Sequence, residues 1–589
     1  MYFLFSYLCL VDLIAFQSFA AVVERVKDLP GLEYDFVIIG AGTAGNVIAN
    51  RLTENIHHSV LVLEAGVSNK EVLNSEVPFF CPRLTPNTAF DWNYTTIPQQ
   101  SLNGRILAYP RGHILGGSSS INFMAYTRGS ADDYNRYAKL VKDSGWSWDR
   151  LQPYFRKNEK FTPPADHHNT RGQFNPSVHG FDGINSPIDR RVIQTTMELP
   201  HEFPFNLDTN SGHQLGVGWT QSTIGGGQRS SSATSYLGPR FVNRRNLHVL
   251  LHAQVARILR TKPTHGDPDV RTVEFTEGVG GPMRRITARK ELILSAGSVG
   301  TPHILLNSGI GNSHDLSRIG IKPLVHLPSV GQNLSDHPFV VNQWEVNSSD
   351  TFETINRNAT VAAADLQQWM QSRTGPLVDG TFNHNAWIRV PKNTTIFDRF
   401  RDPSAGPNTA HVEFVISNGL SHVPLPTNIG NMSFFVVSTA VLTPASRGSI
   451  TINSTNPFAP PLINPNFLSS EPDIAIMREG IRSARRFAAA PAWADYITSP
   501  SSTSNSTTDA ELDEVIRSSA SSFFHPVGTA GMSPRGADYG VVDPDLRVKG
   551  VKGLRIVDAS VLPIVPAGHT QAATYVFAER AADLIKESW

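Results

Sequence analysis

The sequence predicts a large α/β protein, and three observations support this class. Apolar residues from Tyr34 to Ile39 lead into a glycine-rich turn, a helix and a second apolar strand that ends at Leu63. Further strand-like runs are Leu247–Leu259, Arg285–Ser295 and Ser433–Ser438. The chain has 589 residues, of which 40% are hydrophobic. At roughly 100–200 residues per domain, this length accommodates about two to four cores, or one core with large insertions.

Charge and composition narrow the class of ligand. Lys+Arg and Asp+Glu both number 51, so the formal net charge is zero, and only 17% of the residues are charged. A neutral chain attracts polyanions weakly, so we expect no nucleic-acid partner. The hydrophobic content excludes wholesale disorder. We therefore expect a globular protein with a small-molecule site.

The N-terminal segment predicts a secretory signal peptide over residues 1–20. It is apolar, and Ser18 and Ala20 offer small residues for cleavage, although the usual positive charges at the start are missing. The alternative is a retained membrane anchor, but Asp12 would cost ~3 kcal/mol in the middle of a spanning helix. No later stretch is apolar enough to span. We expect a secreted protein without stable membrane association.

Cysteines and glycosylation sequons fit this expectation. Cys9 and Cys81 are the two cysteines, and cleavage would leave one, so no intramolecular disulfide is expected. Each N-x-S/T sequon alone is a weak signal, but eight of them favour a glycosylated chain. They begin at Asn93, Asn333, Asn347, Asn358, Asn393, Asn431, Asn453 and Asn505.

The turn after the first strand predicts a dinucleotide site. Gly40 permits the tight turn, Gly42 lets a pyrophosphate approach the backbone, and Gly45 lets helix and strand pack closely. The N–H groups of the following helix attract phosphate. Glu64 ends the second strand and can accept both ribose hydroxyls, which argues against NADP but leaves NAD and FAD open. The predicted contacts are Gly40, Gly42, Thr43, Ala44, Gly45 and Glu64.

Longer motifs resemble the signatures of the glucose–methanol–choline (GMC) oxidoreductases. They are Arg111–Asn122, Gly297–Gly311, Val330–His337, Gly540–Asp543 and Asp558–Ser560. The resemblance extends from about Tyr34 to Leu584. Within the family the chain looks most like the fungal aryl-alcohol oxidases, on stretches such as Asp91–Thr96, Gly227–Ser232 and Phe524–Ala530.

The resemblance implies a fold and a cofactor. The fold is a Rossmann-like FAD-binding domain with a discontinuous substrate domain, built on an antiparallel sheet with helices. Residues 33–345 are expected to be mainly FAD-binding with substrate-domain insertions, residues 346–520 mainly substrate-binding, and residues 521–589 a return to the FAD domain. Covalent members carry His where Ile121 stands, so FAD is expected to be noncovalent. Further implied FAD contacts are Gly116, Gly117, Ser118, Asn122, Val255, Asp558, Ala559, Thr570 and Gln571.

Two histidines resemble the family's C-terminal catalytic pair. His525 stands in Phe-His-Pro and His569 in Gly-His-Thr. Alcohol oxidation needs a base for the hydroxyl proton, and neutral imidazole, with a pKa of ~6.5, suits that role. We expect His525 to be the base and His569 to orient the alcohol oxygen. No metal-ligand motif occurs in the sequence, and no metal is expected.

The resemblance also implies a substrate. In aryl-alcohol oxidases aromatic side chains narrow the route to the flavin, and Phe123 and Phe524 occupy two such places, where they can stack on a benzylic ring. A third aromatic is absent, with Ser421 near its place, and His113 replaces the usual Arg or Lys after Gly112. The expected reaction converts primary benzylic or allylic alcohols to aldehydes. The acceptor is O2, which yields H2O2, or a quinone, and the protein is expected to be a monomer.

Three alternatives stay open. The first is a GMC dehydrogenase that oxidises alcohols or sugars with quinone acceptors, and the second is an FAD-containing hydroxynitrile lyase. The third is a serine hydrolase, because Ser298 lies in a Gly-Ser-Val-Gly turn after a strand and Asp558 and His569 follow in the right order.

Overall fold

The computed structural model describes residues 22–162, 177–179, 186–262, 266–278, 280–391, 394–420, 429–500 and 506–589. The predicted signal peptide, Ser421 and the sequons at Asn393 and Asn505 lie outside these ranges. In the described ranges no helix is long and apolar enough to cross a membrane.

The strands are, in chain order, β1 Val22–Val23, β2 Tyr34–Ile39, β3 Val60–Leu63, β4 Lys160–Thr162, β5 Ser177–His179, β6 Gly216–Trp219, β7 Ile224–Gly225, β8 Gln228–Arg229, β9 Leu247–Leu250, β10 Ala253–Leu259, β11 Thr272–Glu277, β12 Met283–Leu294, β13 Ile310–Gly311, β14 Val325–His326, β15 Gln332–Leu334, β16 Pro338–Glu345, β17 His384–Ile388, β18 Val412–Ser417, β19 Phe434–Val441, β20 Gly448–Thr451, β21 Leu462–Asn464, β22 Ser521–Ser522 and β23 Leu554–Ile556.

The α-helices are α1 Gly45–Leu52, α2 Leu73–Glu76, α3 Ala131–Val141, α4 Trp148–Asn158, α5 Asp189–Glu198, α6 Ser232–Tyr236, α7 Pro239–Val242, α8 Gly297–Asn307, α9 Ser313–Arg318, α10 Phe352–Arg357, α11 Ala359–Ser372, α12 Ile396–Arg399, α13 Glu471–Ala488, α14 Asp509–Ser519 and α15 Thr570–Lys586. Together with the strands they confirm the predicted mixed α/β class.

The first large sheet has the strand order β1-β9-β3-β2-β12-β11-β10, with β23 beside β12. Strands β9, β3, β2, β12 and β23 run parallel, and β3 is buried along its whole length. Buried parallel strands read as continuous apolar runs, which explains the pattern predicted at Tyr34–Ile39. The carboxyl ends of β2, β3 and β12 therefore meet at one edge, which is where such sheets bind ligands.

The single strand predicted at Leu247–Leu259 is two strands in the structure. Residues 247–259 divide into β9, which pairs with β3, and β10, which pairs antiparallel with β11. The break falls at His252, whose φ of 56° lies in the left-handed region. The apolar pattern continues across the break because both strands are buried in the same core. Periodicity therefore did not reveal the turn.

The second large sheet is antiparallel and has the order β22-β16-β19-β18-β17-β6. Helix α13 packs on β19 and β18, and its buried residues share a core with the sheet. The opposite face carries Val341, Val415 and Ser438, which the strand register aligns side by side. All three line a cavity. The strands of this sheet come from residues 216 to 522, so they interleave along the chain with those of the first sheet.

Candidate active site

A cavity of about 1190 Å³ extends from the carboxyl ends of the parallel strands to the open face of the antiparallel sheet. Its walls include the turn after β2, the N-terminus of α8 and the N-terminus of α15. The long shape gives it two ends with different chemistry. One end is built from backbone and glycine, and the other from histidine and apolar side chains.

Three glycines form the turn after β2, and each has a different neighbour. A Cβ on Gly40 would lie 2.5 Å from the carbonyl oxygen of Ser295, and one on Gly45 would lie 2.0 Å from that of Gly40. A Cβ on Gly42 would meet only the Cα of Gly117, at 3.9 Å. Gly40 and Gly45 therefore allow the turn and the helix to pack, whereas Gly42 faces open space in the cavity.

Glu64 stands where the predicted ribose contact is needed. Its Oε2 accepts a hydrogen bond from the Ala41 N–H and its Oε1 from the Gly66 N–H, both at 2.8 Å. Burial raises its pKa to about 7, against the opposing effect of these backbone donors. The carboxylate lines the cavity in a fixed orientation, with lone pairs left for two hydroxyls.

The second glycine turn lies against the first. A Cβ on Gly117, whose φ is 54°, would lie 2.8 Å from the Cα of Gly42. Gly117 and Ser118 line the cavity. Gly116 and Gly45 do not: Gly116 faces the Ser120 hydroxyl, so these two predicted contacts support the wall from behind.

The middle of the cavity holds a polar network that joins distant segments. Asn122 Nδ2 donates to Gln571 Oε1 at 2.6 Å, and Arg229 Nη1 donates to Asn122 Oδ1 at 2.8 Å. Asp558, an expected FAD contact, also accepts hydrogen bonds through its carboxylate from the Gly297 N–H and the Thr301 hydroxyl. Its side chain thus holds the start of α8, although the residue lines the cavity. Val255, Ala559 and Thr570 also line it.

These residues fit FAD. The open cradle at Gly42, the N-terminus of α1 beside it and the buried carboxylate of Glu64 match the demands of pyrophosphate and ribose. Ile121 lines the cavity where covalent members carry His. FAD would then extend from β3 and β10 toward the histidine end.

His525 and His569 meet at the far end of the cavity. Their ring centroids are 4.7 Å apart, at an interplanar angle of 68°. The Asp336 carboxylate receives the backbone N–H of His525 at 2.8 Å, and Thr127 Oγ1 receives that of His569 at 2.6 Å. Burial lowers the pKa of His525 well below its ordinary value, and nearby His569 and His337 lower it further. The ring is therefore neutral and able to accept a proton.

Each histidine has a buried partner that the sequence motifs did not predict. His569 Nε2 lies 2.9 Å from Glu413 Oε1, and His525 Nδ1 lies 3.0 Å from His337 Nδ1. The sequence offered one clue to Glu413, since it is an acid in a mainly apolar strand, where a buried charge needs a partner. His337 ends the motif Val330–His337, but nothing local connects it to residue 525.

The wall beside the pair is mainly apolar, with a few hydroxyl side chains among the aromatic and aliphatic ones. The Phe523 ring centroid lies 5.2 Å from that of His525 and 5.4 Å from that of His569. Phe123 and Phe524, the expected substrate contacts, line the cavity, and so does Phe523, which the sequence motifs did not single out. Phe524 has a φ of 66°, a conformation that few side chains adopt. Other lining residues here are Phe339, Val341, Thr381, Phe382, Val415, Ser417, Leu420, Val436 and Ser438.

The residues of the serine hydrolase alternative do not form a catalytic triad. Ser298 Oγ donates to the Pro526 carbonyl at 2.6 Å, and His569 and Asp558 are engaged with Glu413 and Thr301. The hydrolase triad considered from sequence is therefore not formed. Over the described part of the chain, no three His, Cys, Asp or Glu side chains are grouped to hold a metal ion. His113, the departure from the usual Arg or Lys, packs its ring 4.4 Å from that of Trp92.

Comparisons with known proteins agree with this geometry. Two family models described as GMC oxidoreductase match residues 34–339 and 444–578. The chain is 41% identical to a dehydrogenase, eriK, of Hericium erinaceus, over 98% of both chains. It is 43% identical to a pyranose dehydrogenase of Agaricus campestris, over 97% of this chain and 96% of the relative.

Solved structures share the fold. A formate oxidase is matched with a TM-score of 0.86 and 29% identity, over 95% of this chain and 99% of that one. A fungal aryl-alcohol oxidase is matched with a TM-score of 0.81 and 26% identity, over 95% of this chain and 100% of that one. The two dehydrogenases are thus more similar in sequence to this chain than the aryl-alcohol oxidase is, although the motifs had suggested the aryl-alcohol oxidases first.

Proposed function

The chain belongs to the GMC oxidoreductase family, and on that premise we propose that it oxidises the primary alcohol group of an aromatic substrate to an aldehyde. FAD is the cofactor. The observation that carries the proposal is the apolar wall around the histidine pair. Phe523 lies within ring-contact distance of both histidines, and Phe123, Phe382 and Val415 line the same end. Such a wall favours an aromatic ring over a polyhydroxylated one.

The residues of the pair have separate proposed roles. His525, neutral because burial depresses its pKa, takes the hydroxyl proton as the alcohol carbon is oxidised. Nε2–H of His569 donates to Glu413, and a second proton on Nδ1, which the Glu413 carboxylate would stabilise, would let the ring donate to the alcohol oxygen and orient it. FAD, when bound, would supply the acceptor for the hydride that leaves the alcohol carbon, and the two electrons would end on the final oxidant. The alcohol thus loses one hydride and one proton, and the aldehyde remains.

The FAD contacts that we propose follow the cavity from end to end. Gly42, Thr43, Ala44 and Gly117 surround the open cradle for the pyrophosphate, and Glu64 faces the ribose. At the isoalloxazine end the proposed contacts are Asn122, Asp558, Ala559, Thr570 and Gln571. We propose noncovalent attachment, since Ile121 offers no nucleophile. This is tested by acid precipitation, after which noncovalent FAD stays in the supernatant and covalent FAD stays with the protein.

The final oxidant that we propose is a quinone. The two relatives at 41% and 43% identity are named dehydrogenases, whereas the two oxidases of known structure are 29% and 26% identical. O2, the acceptor first expected from the sequence, is the alternative. Peroxide formed per aldehyde in air, measured with and without benzoquinone, separates the two.

A sugar is the second candidate substrate. The observation that favours it is the 43% identity to a pyranose dehydrogenase. Thr381, Ser417 and Ser438 also line the cavity and offer hydroxyls to a sugar. A site that binds a sugar relies on several such partners for its hydroxyl groups.

One experiment tests the substrate class. The FAD-loaded protein is mixed anaerobically with p-anisyl alcohol or with D-glucose, and the flavin absorbance is followed. Bleaching by the anisyl alcohol, with little by glucose, supports the proposal. The reverse supports the sugar candidate. An unchanged spectrum with both contradicts alcohol oxidation and favours the lyase alternative.

We also propose that the protein is secreted and glycosylated. The support is the predicted signal peptide together with sequon asparagines on exposed positions, at Asn93, Asn347, Asn358, Asn431 and Asn453. Expression of the full chain in a fungal host should yield protein in the medium that begins after residue 20 and shifts in mass on deglycosylation. Retention in the cell with an intact N-terminus would contradict the proposal.

A further inference from the structure

His337 lies directly behind His525. Their Nδ1 atoms are 3.0 Å apart, and the rings are perpendicular, at 89°. His337 is fully buried and His525 is 8% exposed. A hydrogen bond between two Nδ1 atoms requires one of them to carry the proton and the other to offer a lone pair.

Burial lowers the pKa of His337 to about 3, and nearby His569 lowers it further, so the ring is neutral and holds a single proton. Its Nε2 has no hydrogen-bond partner among the described residues, so the direction of the bond follows from His525 instead. The Nδ1 of His525 faces His337, and the His525 ring lines the cavity. A base there needs its lone pair on Nε2, so the single proton of the neutral His525 ring lies on Nδ1, and the Nδ1 of His337 accepts it.

The backbone keeps the two rings in register. The same oxygen, Oδ1 of Asp336, accepts the N–H groups of His337 and His525, each at 2.8 Å. The Phe523 N–H donates to the His337 carbonyl at 2.8 Å, which joins the two segments a second time. The Nδ1 to Nδ1 contact therefore follows from a rigid clamp between β16 and the segment after β22.

We propose that His337 is a positioning residue that sets the tautomer of His525. Its Nδ1 accepts the Nδ1–H of His525, so the Nε2 lone pair of His525 is the one left to take the alcohol proton. When His525 takes that proton on Nε2, its Nδ1–H continues to donate to His337, and the bond becomes charge-assisted. No proton passes to His337. The inference rests on the proposed role of His525 as base.

Two substitutions separate this role from simple packing. His337→Asn keeps an acceptor oxygen near the place of Nδ1, whereas His337→Leu removes it at similar volume. We expect flavin reduction by p-anisyl alcohol to slow by about 10²-fold or more in His337→Leu, since a wrong tautomer disables a histidine base. His337→Asn should stay within about tenfold of the unchanged protein, because the acceptor is kept. The inference is wrong if both variants reduce at the normal rate, or if both slow equally.

A double variant shows whether His337 acts through His525. In a His525→Ala background, His337→Leu should slow reduction by no more than about threefold, because residues that act as a unit are not additive. A further slowing comparable to that of the single variant would indicate a packing role and overturn the inference. FAD content, read from absorbance, checks that each variant is loaded.

A measurement that does not depend on activity uses histidine labelled with ¹⁵N. In the unchanged holoprotein at neutral pH, the His525 signals, assigned by their loss in His525→Ala, should show a protonated Nδ1 and an unprotonated Nε2. The opposite pattern overturns the inference even if no variant folds. If His525→Ala reduces flavin at the normal rate, the base assignment fails instead, and the NMR result still tests the tautomer.

Discussion

His569 Nε2 lies 2.9 Å from Oε1 of Glu413, a carboxylate with no solvent exposure near the start of the buried strand β18. Asn385 Nδ2 donates to the same oxygen at 2.8 Å, and Oε2 has no hydrogen-bond partner among the described residues. Burying a carboxylate with so few hydrogen-bond donors costs folding free energy, unless the carboxylate interacts with a charged or polarised neighbour. The arrangement therefore ties the orientation of His569 to one residue.

Glu413→Gln should slow alcohol oxidation. The amide keeps the shape but removes the charge that fixes a proton on His569 Nε2, so we expect kcat to fall by about tenfold or more, while FAD stays bound. Steady-state assays with benzoquinone measure this. Asp402→Asn is the matched control, because Asp402 pairs with His411, away from the cavity. Equal losses in both variants would mean that Glu413 acts only through stability.

The rate of flavin reduction should stay high below pH 6.5. His525 must be neutral to accept a proton, and burial together with its histidine neighbours depresses its pKa well below 6.5. The neutral form therefore persists as pH falls, and the rate declines only in more acidic solution. Anaerobic stopped-flow reduction across pH 4 to 8 measures the profile, with ~6.5 as the ordinary pKa of imidazole. A decline centred at or above that value would contradict the buried, neutral base.

Glu64→Gln should weaken FAD binding. The carboxylate accepts two backbone N–H groups and retains lone pairs for ribose, whereas an amide places N–H groups toward those donors. Losing charge-assisted hydrogen bonds to both hydroxyls should raise the Kd by roughly 10- to 100-fold. FAD retained after gel filtration reports this. Glu33→Gln, an exposed acid just before β2, should keep its FAD.

Phe523→Leu should discriminate between substrates. Removing a ring that contacts both histidines costs stacking of about 0.5–1.5 kcal/mol, so kcat/KM for p-anisyl alcohol should fall roughly 3- to 10-fold. A small aliphatic allylic alcohol should be affected less. Phe397→Leu, a ring that packs on His411 outside the cavity, serves as control. An equal fall in kcat/KM for every alcohol would contradict a substrate contact and would mean that Phe523 only packs in the protein.

The site divides into parts that local sequence predicts and parts that it does not. Gly40, Gly42 and Glu64 follow one another along a β-α-β unit, so their spacing alone indicated a nucleotide site. His525 and His569 came from motifs of the family. Glu413, in contrast, reaches His569 only through the register of the antiparallel sheet, which joins strands from distant parts of the chain.

Pairing between strands that are distant in sequence also explains why other site residues could not be predicted. His337 and His525 lie on segments paired at Pro338 with Ser522, a contact no periodicity encodes. Phe523 and Phe524 are adjacent in sequence, and only the backbone turn at Phe524, with its φ of 66°, decides how each ring faces the cavity. The hydrogen bonds of Asp558 to Gly297 and Thr301 could not be predicted for a similar reason, because these partners belong to another motif.

The central claim is that His525 is the base that takes the alcohol proton. The most direct test is the anaerobic reduction of bound flavin by p-anisyl alcohol in His525→Ala beside the unchanged protein, at equal FAD content. A positioned base contributes about 10²–10⁴-fold, so the variant should reduce its flavin slower by at least that margin. Reduction at a near-normal rate would contradict the claim.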